Sequence, residues 1–259
     1  MLRTCLVLLL LLFSVAVGQK VVLGAEPSSV KALKEQAAQG DAKAQFKLGM
    51  MYQNGQGVPQ DSTEAVKWWR LVAAQGFAEA QHNLGAMYQN GQGVPQDSTE
   101  AVKWLRLAAA QGNAQAQTNL GFMYDKGQGV PQDYAEAVNW WRLAAAQGHA
   151  DAQYNLGNMY YQGQGVRQDL AEAVKWYRLA VAQGDAEAQH NLGVMYEHGH
   201  GVPQDYVQAH KWFTLASEME ALKEQAAKSR ERVATKMTPE QIAEAQKLAR
   251  EWKPTPPKK

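Results

Sequence analysis

Disulfide chemistry is the first class this sequence excludes. The 259-residue chain has a single cysteine, Cys5, and it sits in the first apolar run. If that run is removed after export, the mature chain keeps no cystine, no thiol nucleophile and no thiolate metal site, so packing alone must hold it together. Net charge is equally scarce, with 26 basic against 25 acidic residues. A chain so balanced has no general electrostatic pull toward nucleic acid or an anionic membrane. Long apolar runs are also missing. Cys5 to Val17 is apolar except for Ser14, about a third short of the roughly 20 residues that span a bilayer.

That first run has its own meaning. Arg3 precedes it and Ala16-Val17-Gly18 supplies the small residues of a signal-peptidase site, so residues 1–18 read as a signal peptide cut after Gly18, with Ala25 as the alternative. The expected location is the periplasm or outside the cell, with no stable membrane span after cleavage. Lys253 to Lys259, with Pro254, Pro256 and Pro257, reads as a disordered tail.

What the chain has in abundance is itself. Gly40, Gly76, Gly112, Gly148 and Gly184 stand 36 residues apart, with no insertion between them. Self-similarity at a fixed period of this size predicts a solenoid. Five copies occupy 41–76, 77–112, 113–148, 149–184 and 185–220. Each reads as two helices joined by a glycine turn. In the second copy, Ala80, Leu84, Met87 and Tyr88 recur at helical spacing, Gly91 supplies a left-handed cap, and Val94 is held extended by Pro95. Asp97 and Glu100 form a capping-box pair for the second helix. Ala101, Trp104, Leu107 and Ala108 form its central stripe, widened by Val102 and Leu105. Trp68, Trp104, Trp140, Trp176 and Trp212 recur once per repeat and read as core, as does Leu143. Arg167 replaces the loop proline, which predicts a looser turn.

The pattern A-x-A-Q-x-x-L-G-x-M-Y-x-x-G-x-G-V-P-Q-D-x-x-E-A-V-K-W-x-R-L-A closely resembles the Sel-one-like repeat, a relative of the tetratricopeptide repeat, over roughly Ala42 to Ala221. The resemblance implies an all-α, right-handed solenoid superhelix of antiparallel helix pairs. Caps are needed at both ends. Ser28 to Gln39, in the segment 19–40, reads as the first. In 221–252 a charged helix and then a helix opened by Thr238-Pro239-Glu240-Gln241 read as the second. Met219-Glu220 replaces the usual Gln-Gly, which predicts that the last repeat helix runs on.

Comparison of the five copies separates packing from everything else. On the first helix the freest positions lie at i, i+4 and i+7: Phe46/Met50/Gln53, His82/Ala86/Gln89, Thr118/Phe122/Asp125, Tyr154/Asn158/Tyr161 and His190/Val194/Glu197. Phe46, Phe122, Tyr154 and Tyr161 are residue types enriched at binding hot spots. The resemblance puts first helices on the concave surface, which makes this stripe the expected groove for a protein or peptide ligand. The bland alternative is packing between neighbouring first helices. The leading expectation is an exported, non-catalytic scaffold, working as a monomer without a cofactor.

Two other chemistries deserve weighing. His190, Glu197, His198, His200 and His210 mix imidazole and carboxylate at short spacing, a possible divalent-metal set. Two of them fall in a glycine loop, where solvation is the simpler reading. Ser28-Ser29-Val30-Lys31 matches S-x-x-K, and cysteine-rich secreted relatives of the resembled family are linked with β-lactam binding or hydrolysis. The accompanying S-D-N and K-T-G motifs are missing from this chain.

Overall fold

Two local signals recur down the chain and set the turn inside each repeat, where the first helix ends and the second begins. The computed structural model describes residues 28–255, and thirteen α-helices, with no strand, make up its regular structure among these described residues. The segments 1–27 and 256–259, which hold the expected signal peptide, Cys5 and both cleavage sites, lie outside the described residues. After α1 (Ser28–Ala38) come five antiparallel pairs: α2 (Ala42–Asn54) with α3 (Ser62–Ala74), α4 (Ala78–Asn90) with α5 (Ser98–Ala110), α6 (Ala114–Lys126) with α7 (Tyr134–Ala146), α8 (Ala150–Gln162) with α9 (Leu170–Ala182), and α10 (Ala186–His198) with α11 (Tyr206–Ala216). Two further helices, α12 (Lys223–Ala234) and α13 (Pro239–Glu251), close the chain. The result is an all-α solenoid.

The first helix of each pair stops at a glycine in the left-handed region, as at Gly91 with φ of 67°. The second starts at an aspartate whose carboxylate accepts backbone amides, as Asp97 does from Thr99 and Glu100. The expected reciprocal arm from Glu100 is absent; its carboxylate pairs with Lys103 instead. Among the described residues, only Thr238 and Gln241, opening α13, make the full capping box. Arg167 does not loosen its turn: Gly163 and Gly165 keep φ of 71° and 68°, matching their siblings. The last repeat helix does not run on either. It stops at Ala216, two residues short of its counterparts, because Met219 and Glu220 enter a turn before α12.

Packing joins each second helix to the first helix that follows it. One cluster combines Ala65, Val66, Trp69 and Val72 of α3 with Ala80, Leu84 and Met87 of α4, and the next two junctions repeat it. Buried glutamines reinforce the junctions. Gln81 donates to the carbonyl of Ala73 and accepts from Gln111, and Gln117 does the same with Ala109 and Gln147. Each buried amide is thereby satisfied, which removes the penalty for placing it there. Across the same junctions, Arg70, Arg106, Arg142 and Arg178 donate to Tyr88, Tyr124, Tyr160 and Tyr196 at 2.6–2.9 Å. At the start of the stack Lys34 takes the arginine's place, 5.6 Å from the centre of the Tyr52 ring.

The core stripe of the second helix differs from the sequence expectation. The fully enclosed position is 69, 105, 141, 177 and 213, where Trp69, Leu105, Trp141, Tyr177 and Phe213 are all 4% exposed or less. The preceding tryptophans Trp68, Trp104, Trp140 and Trp176 are half-buried, each resting on the edge of the cluster before its own. Leu107 and Leu143, read as parts of the rod, are 50% and 51% exposed and line up with Leu71 and Leu179 on the outside of the second helices. The buried arc is centred on position 105, and residue 107 is two places, or about 200°, away from it. Leu215, the fifth in that row, is covered by Ala249 and Trp252 at the end of α13.

The same enclosed position explains the glycine inside each first helix. A β-carbon at Gly121 would lie 2.6 Å from the indole nitrogen of Trp141, and one at Gly157 would lie 2.7 Å from the Tyr177 ring. Close helix approach therefore offsets the helix propensity the glycine gives up.

Candidate functional site

The stripe predicted from the free positions does not have one character along its length. Met50 and Phe122 are 43% and 39% exposed. Phe46, His82, Gln89, Asp125, Tyr154, Asn158 and Tyr161 are half-buried, and His190 and Glu197 are buried. Neighbouring first helices touch along this face. The ring of His82 meets the amide of Asn119 at 3.3 Å, and Asn191 donates to Asn158 at 3.1 Å. The last member of each triplet is anchored through its backbone: Gln96 donates to the carbonyl of Gln89, Gln132 to Asp125 and Gln168 to Tyr161. Lys126 pairs with Asp125 at 2.8 Å and stands 5.8 Å from the centre of the Phe122 ring.

The fourth and fifth repeats hold a concavity on this stripe. Tyr154, Asn158, Tyr161, Tyr177, Asn191 and Val194 line a cleft of about 290 Å³. Asn158 is its hub, since its Oδ1 accepts from the Tyr177 hydroxyl at 2.6 Å and from Asn191 Nδ2 at 3.1 Å. Burial pushes the phenols of Tyr154 and Tyr177 above the ordinary tyrosine range, Tyr177 the further, so both stay protonated at neutral pH. Val194 also lines a second cleft, of about 650 Å³, shared with His190, Lys228, Ser229 and Arg232. Sequence comparison missed Tyr177 and Asn191. One signal was present, because Tyr177 puts a hydroxyl where its siblings carry Trp69, Leu105, Trp141 and Phe213. Lys228 and Arg232 belong to α12, outside the repeats, where internal comparison has nothing to compare.

Glu197 has become part of the scaffold. Its side chain is 1% exposed, and Arg232 donates to both its oxygens, at 2.8 and 2.6 Å, with Lys236 3.9 Å away. The Arg232 hydrogen bonds hold its carboxyl below the usual carboxylate range, against the opposing effect of burial. A folded-state pKa below the unfolded value, about 4.3 for glutamate, means stabilisation that is present above that pH and lost as pH falls through the folded value. Glu197→Gln should therefore destabilise by about 1–3 kcal/mol at neutral pH. The gap to the parent chain, followed by urea unfolding, should shrink below pH of about 4. A gap that stays constant down to acid pH would show that the ion pair contributes nothing.

The histidines do not assemble as one set. His190 is buried against the Phe213 ring, 5.3 Å between ring centres, and burial lowers its pKa. His198 and His200 lie together, 5.4 Å apart, with His200 6.3 Å from Tyr161. His210 lines a different cleft, among α11, α12 and α13, with Thr214, Arg230 and Arg250. Among the described residues no group of three or more His, Cys, Asp or Glu side chains is placed to hold a metal ion. Ser28, Ser29 and Lys31 are exposed on the first turn of α1.

Comparison with known proteins bears on the whole stack. The Sel1 repeat profile matches residues 42–77, 78–113, 114–149, 150–185 and 186–220. The chain is similar to the crystal structure of a Sel1 repeat protein from Oxalobacter formigenes, with 32% identity, a TM-score of 0.72, and coverage of 88% of this chain and 93% of that one. It is also similar to the crystal structure of a protective antigen present in uropathogenic Escherichia coli strains, which displays an SLR fold. There the identity is 37% and the TM-score 0.75, over 86% of this chain but only 48% of that one. This chain thus spans about half the length of that antigen. No similarity to a curated protein reaches significance.

Proposed function

This chain belongs to the Sel1 repeat family, and from that premise we propose that it is an exported, non-catalytic scaffold that binds a protein or peptide on a concave face formed by its first helices. Sel1 repeats generally mediate protein interactions. The observation that carries the reading is the exposure of Met50 and Phe122 on the first-helix stripe. Five copies solve one packing problem there, and these two side chains are not consumed by it. Apolar side chains held out on a rigid surface are the raw material of an interface core. Contacts between successive first helices, such as His82 with Asn119 and Asn158 with Asn191, favour this face as the inside of the curve. Export rests on Arg3, the apolar run Cys5 to Val17 and the small residues up to Gly18. Among the described residues, no helix is long and apolar enough to cross a membrane.

The test uses the two residues that packing leaves free. A Met50→Ser, Phe122→Ser double variant should keep its helicity and melting temperature, because neither side chain is in the core. Photo-crosslinking from Gln89, between them on the stripe, should capture partners in cell-envelope extracts with the parent chain and lose them with the double variant. Capture that is undiminished would sink the assignment of the first-helix face.

A further inference from the structure

The chain carries its own example of a ligand. Beyond α13 the segment from Trp252 to Thr255 leaves the helix extended, with φ −70° and ψ 139° at Trp252, and Lys253 is held extended by Pro254. It lies against the C-terminal ends of the second helices through a ring, a proline and an amide. The Trp252 ring meets Trp212 edge-on at 5.8 Å between centres and covers Leu215. Pro254 stands over Gly184, where a β-carbon would lie 3.7 Å from it. The Thr255 amide donates to the Ala182 carbonyl at 2.6 Å, one of the helix-end acceptors that have no partner within their own helix.

That surface continues down the stack, because every anchoring point belongs to the 36-residue repeat. The equivalents of Leu215, Gly184 and Ala182 are Leu143, Gly112 and Ala110, and then Leu107, Gly76 and Ala74. Leu143 and Leu107 are 51% and 50% exposed. Trp140 and Trp104 beside them are half-buried, where Trp212 is buried. A β-carbon on Gly112 or Gly76 would meet nothing within 4 Å. Among the described residues, nothing donates to the carbonyl of Ala110 or Ala74. In the copy between these and the occupied one, Gln183 already reaches the Gly148 carbonyl, at 2.8 Å. Sockets of the same build are thus open at Gly76 and Gly112.

Charge does not select what fits them. The cleft beside the occupied socket, about 570 Å³, is walled by Asp151, Asp185, Glu187 and Glu218. At Gly76 the equivalent positions hold Lys43, Phe77, Glu79 and Ala110, one charge of each sign. Phe77 is 46% exposed, so this socket presents Leu107, Phe77 and the free part of Trp104 as apolar surface. An aromatic ring covers such a surface. A proline lowers the entropy cost of ordering an extended strand, and the N–H after it supplies the donor that the helix end lacks.

We propose that the ends of the second helices dock an extended segment of a partner protein with the pattern aromatic-x-Pro-x. Its ring sits on Leu107 and Trp104, its proline over Gly76, and the amide after the proline donates to the Ala74 carbonyl. Leu143, Gly112 and Ala110 form a second socket for the same pattern. This surface is separate from the first-helix stripe, and the inference does not rest on the concave-face reading.

An NMR titration of the isotope-labelled chain with the blocked peptide Ser-Trp-Gln-Pro-Thr-Ser tests this. The amides of Gly76 and Gly112 and the indole N–H of Trp104 should shift in a saturable way. Alanine in place of the peptide's tryptophan or proline should weaken binding roughly tenfold, and N-methylation of its first threonine amide several-fold. Leu107→Glu, at an exposed position, should remove the Gly76 response and keep the Gly112 one, with no change in melting temperature. Trp252→Ala, checked for an intact fold by circular dichroism, should add a response at Gly184 as its socket is vacated. No saturable shift at either open glycine overturns the inference. So does a Gly76 response that survives Leu107→Glu, or binding indifferent to the peptide's proline. Shifts confined to Met50 and Phe122 would seat the peptide on the first-helix stripe, overturning this surface while supporting the scaffold reading. Self-association of the parent chain that Trp252→Ala abolishes would give the sockets to a second copy and overturn the separate partner.

Discussion

Replacing Trp141 with alanine should destabilise the chain by about 3–5 kcal/mol, the range for emptying a buried large aromatic site. Replacing its neighbour Trp140 should cost only about 1–2 kcal/mol, since a half-buried ring removes less apolar area from water. Trp141 is 2% exposed, fills the space opened by Gly121, and donates to the Thr118 carbonyl at 3.1 Å. Its loss empties the centre of the cluster built from α7 and α8. Trp140 only rests on the edge of the cluster before its own. Urea unfolding of the two single variants distinguishes the assignments directly. A Trp140→Ala loss equal to or larger than that of Trp141→Ala would return the core to the repeated tryptophan.

Gly129→Ala should cost about 2–5 kcal/mol, from a left-handed residue that now carries a β-carbon together with an overpacked contact. Gly129 has φ of +70°, and a β-carbon there would sit 2.2 Å from the Ser98 carbonyl oxygen at the start of α5. That neighbour is backbone in the preceding repeat, so no rotamer change relieves the clash. Gly112 is the internal control. Its φ is +88°, and a β-carbon would meet nothing within 4 Å, so Gly112→Ala should cost only the strain of about 1–2 kcal/mol. Thermal melts of both variants separate strain from collision. Equal effects would mean that the loop does not need its close approach to the repeat before it. Gly93, Gly165 and Gly201 make the same approach to Ser62, Tyr134 and Leu170, so a variant that moves apart at one junction tests what fixes the rise of the stack.

Most of the architecture was legible because its causes are local and repeated. The glycine stops and aspartate starts act within a few residues of themselves, and five copies averaged away single-site noise. The end of α11 was not legible, because the turn at Met219 and Glu220 breaks the repeat's own pattern. The candidate site was legible in part. Position comparison found Tyr154, Asn158 and Tyr161, which line one cleft, and Met50 and Phe122, which stay exposed. It also included Glu197 and His190, which are buried. A position that varies among copies is released from the shared packing rule, yet a copy at the end of a stack meets different neighbours, and there variation records a new contact instead of a free surface.

Glu197 and the paired tryptophans mark the boundary between the two levels. The sequence by itself determined the number of repeats, the helix pairs and their caps, because hydrogen bonds within one turn need no distant partner. Only the tertiary structure decided that Trp141 lies inward while Trp140 lies at the edge, since helix phase is set by what packs on both sides. Only it decided that Arg232, 35 residues on, would neutralise Glu197, and that Lys228 would stand across Val194 from Tyr154. Contacts between a repeat and a segment outside the repeats leave no periodic trace, so their chemistry appears when the helices are in place.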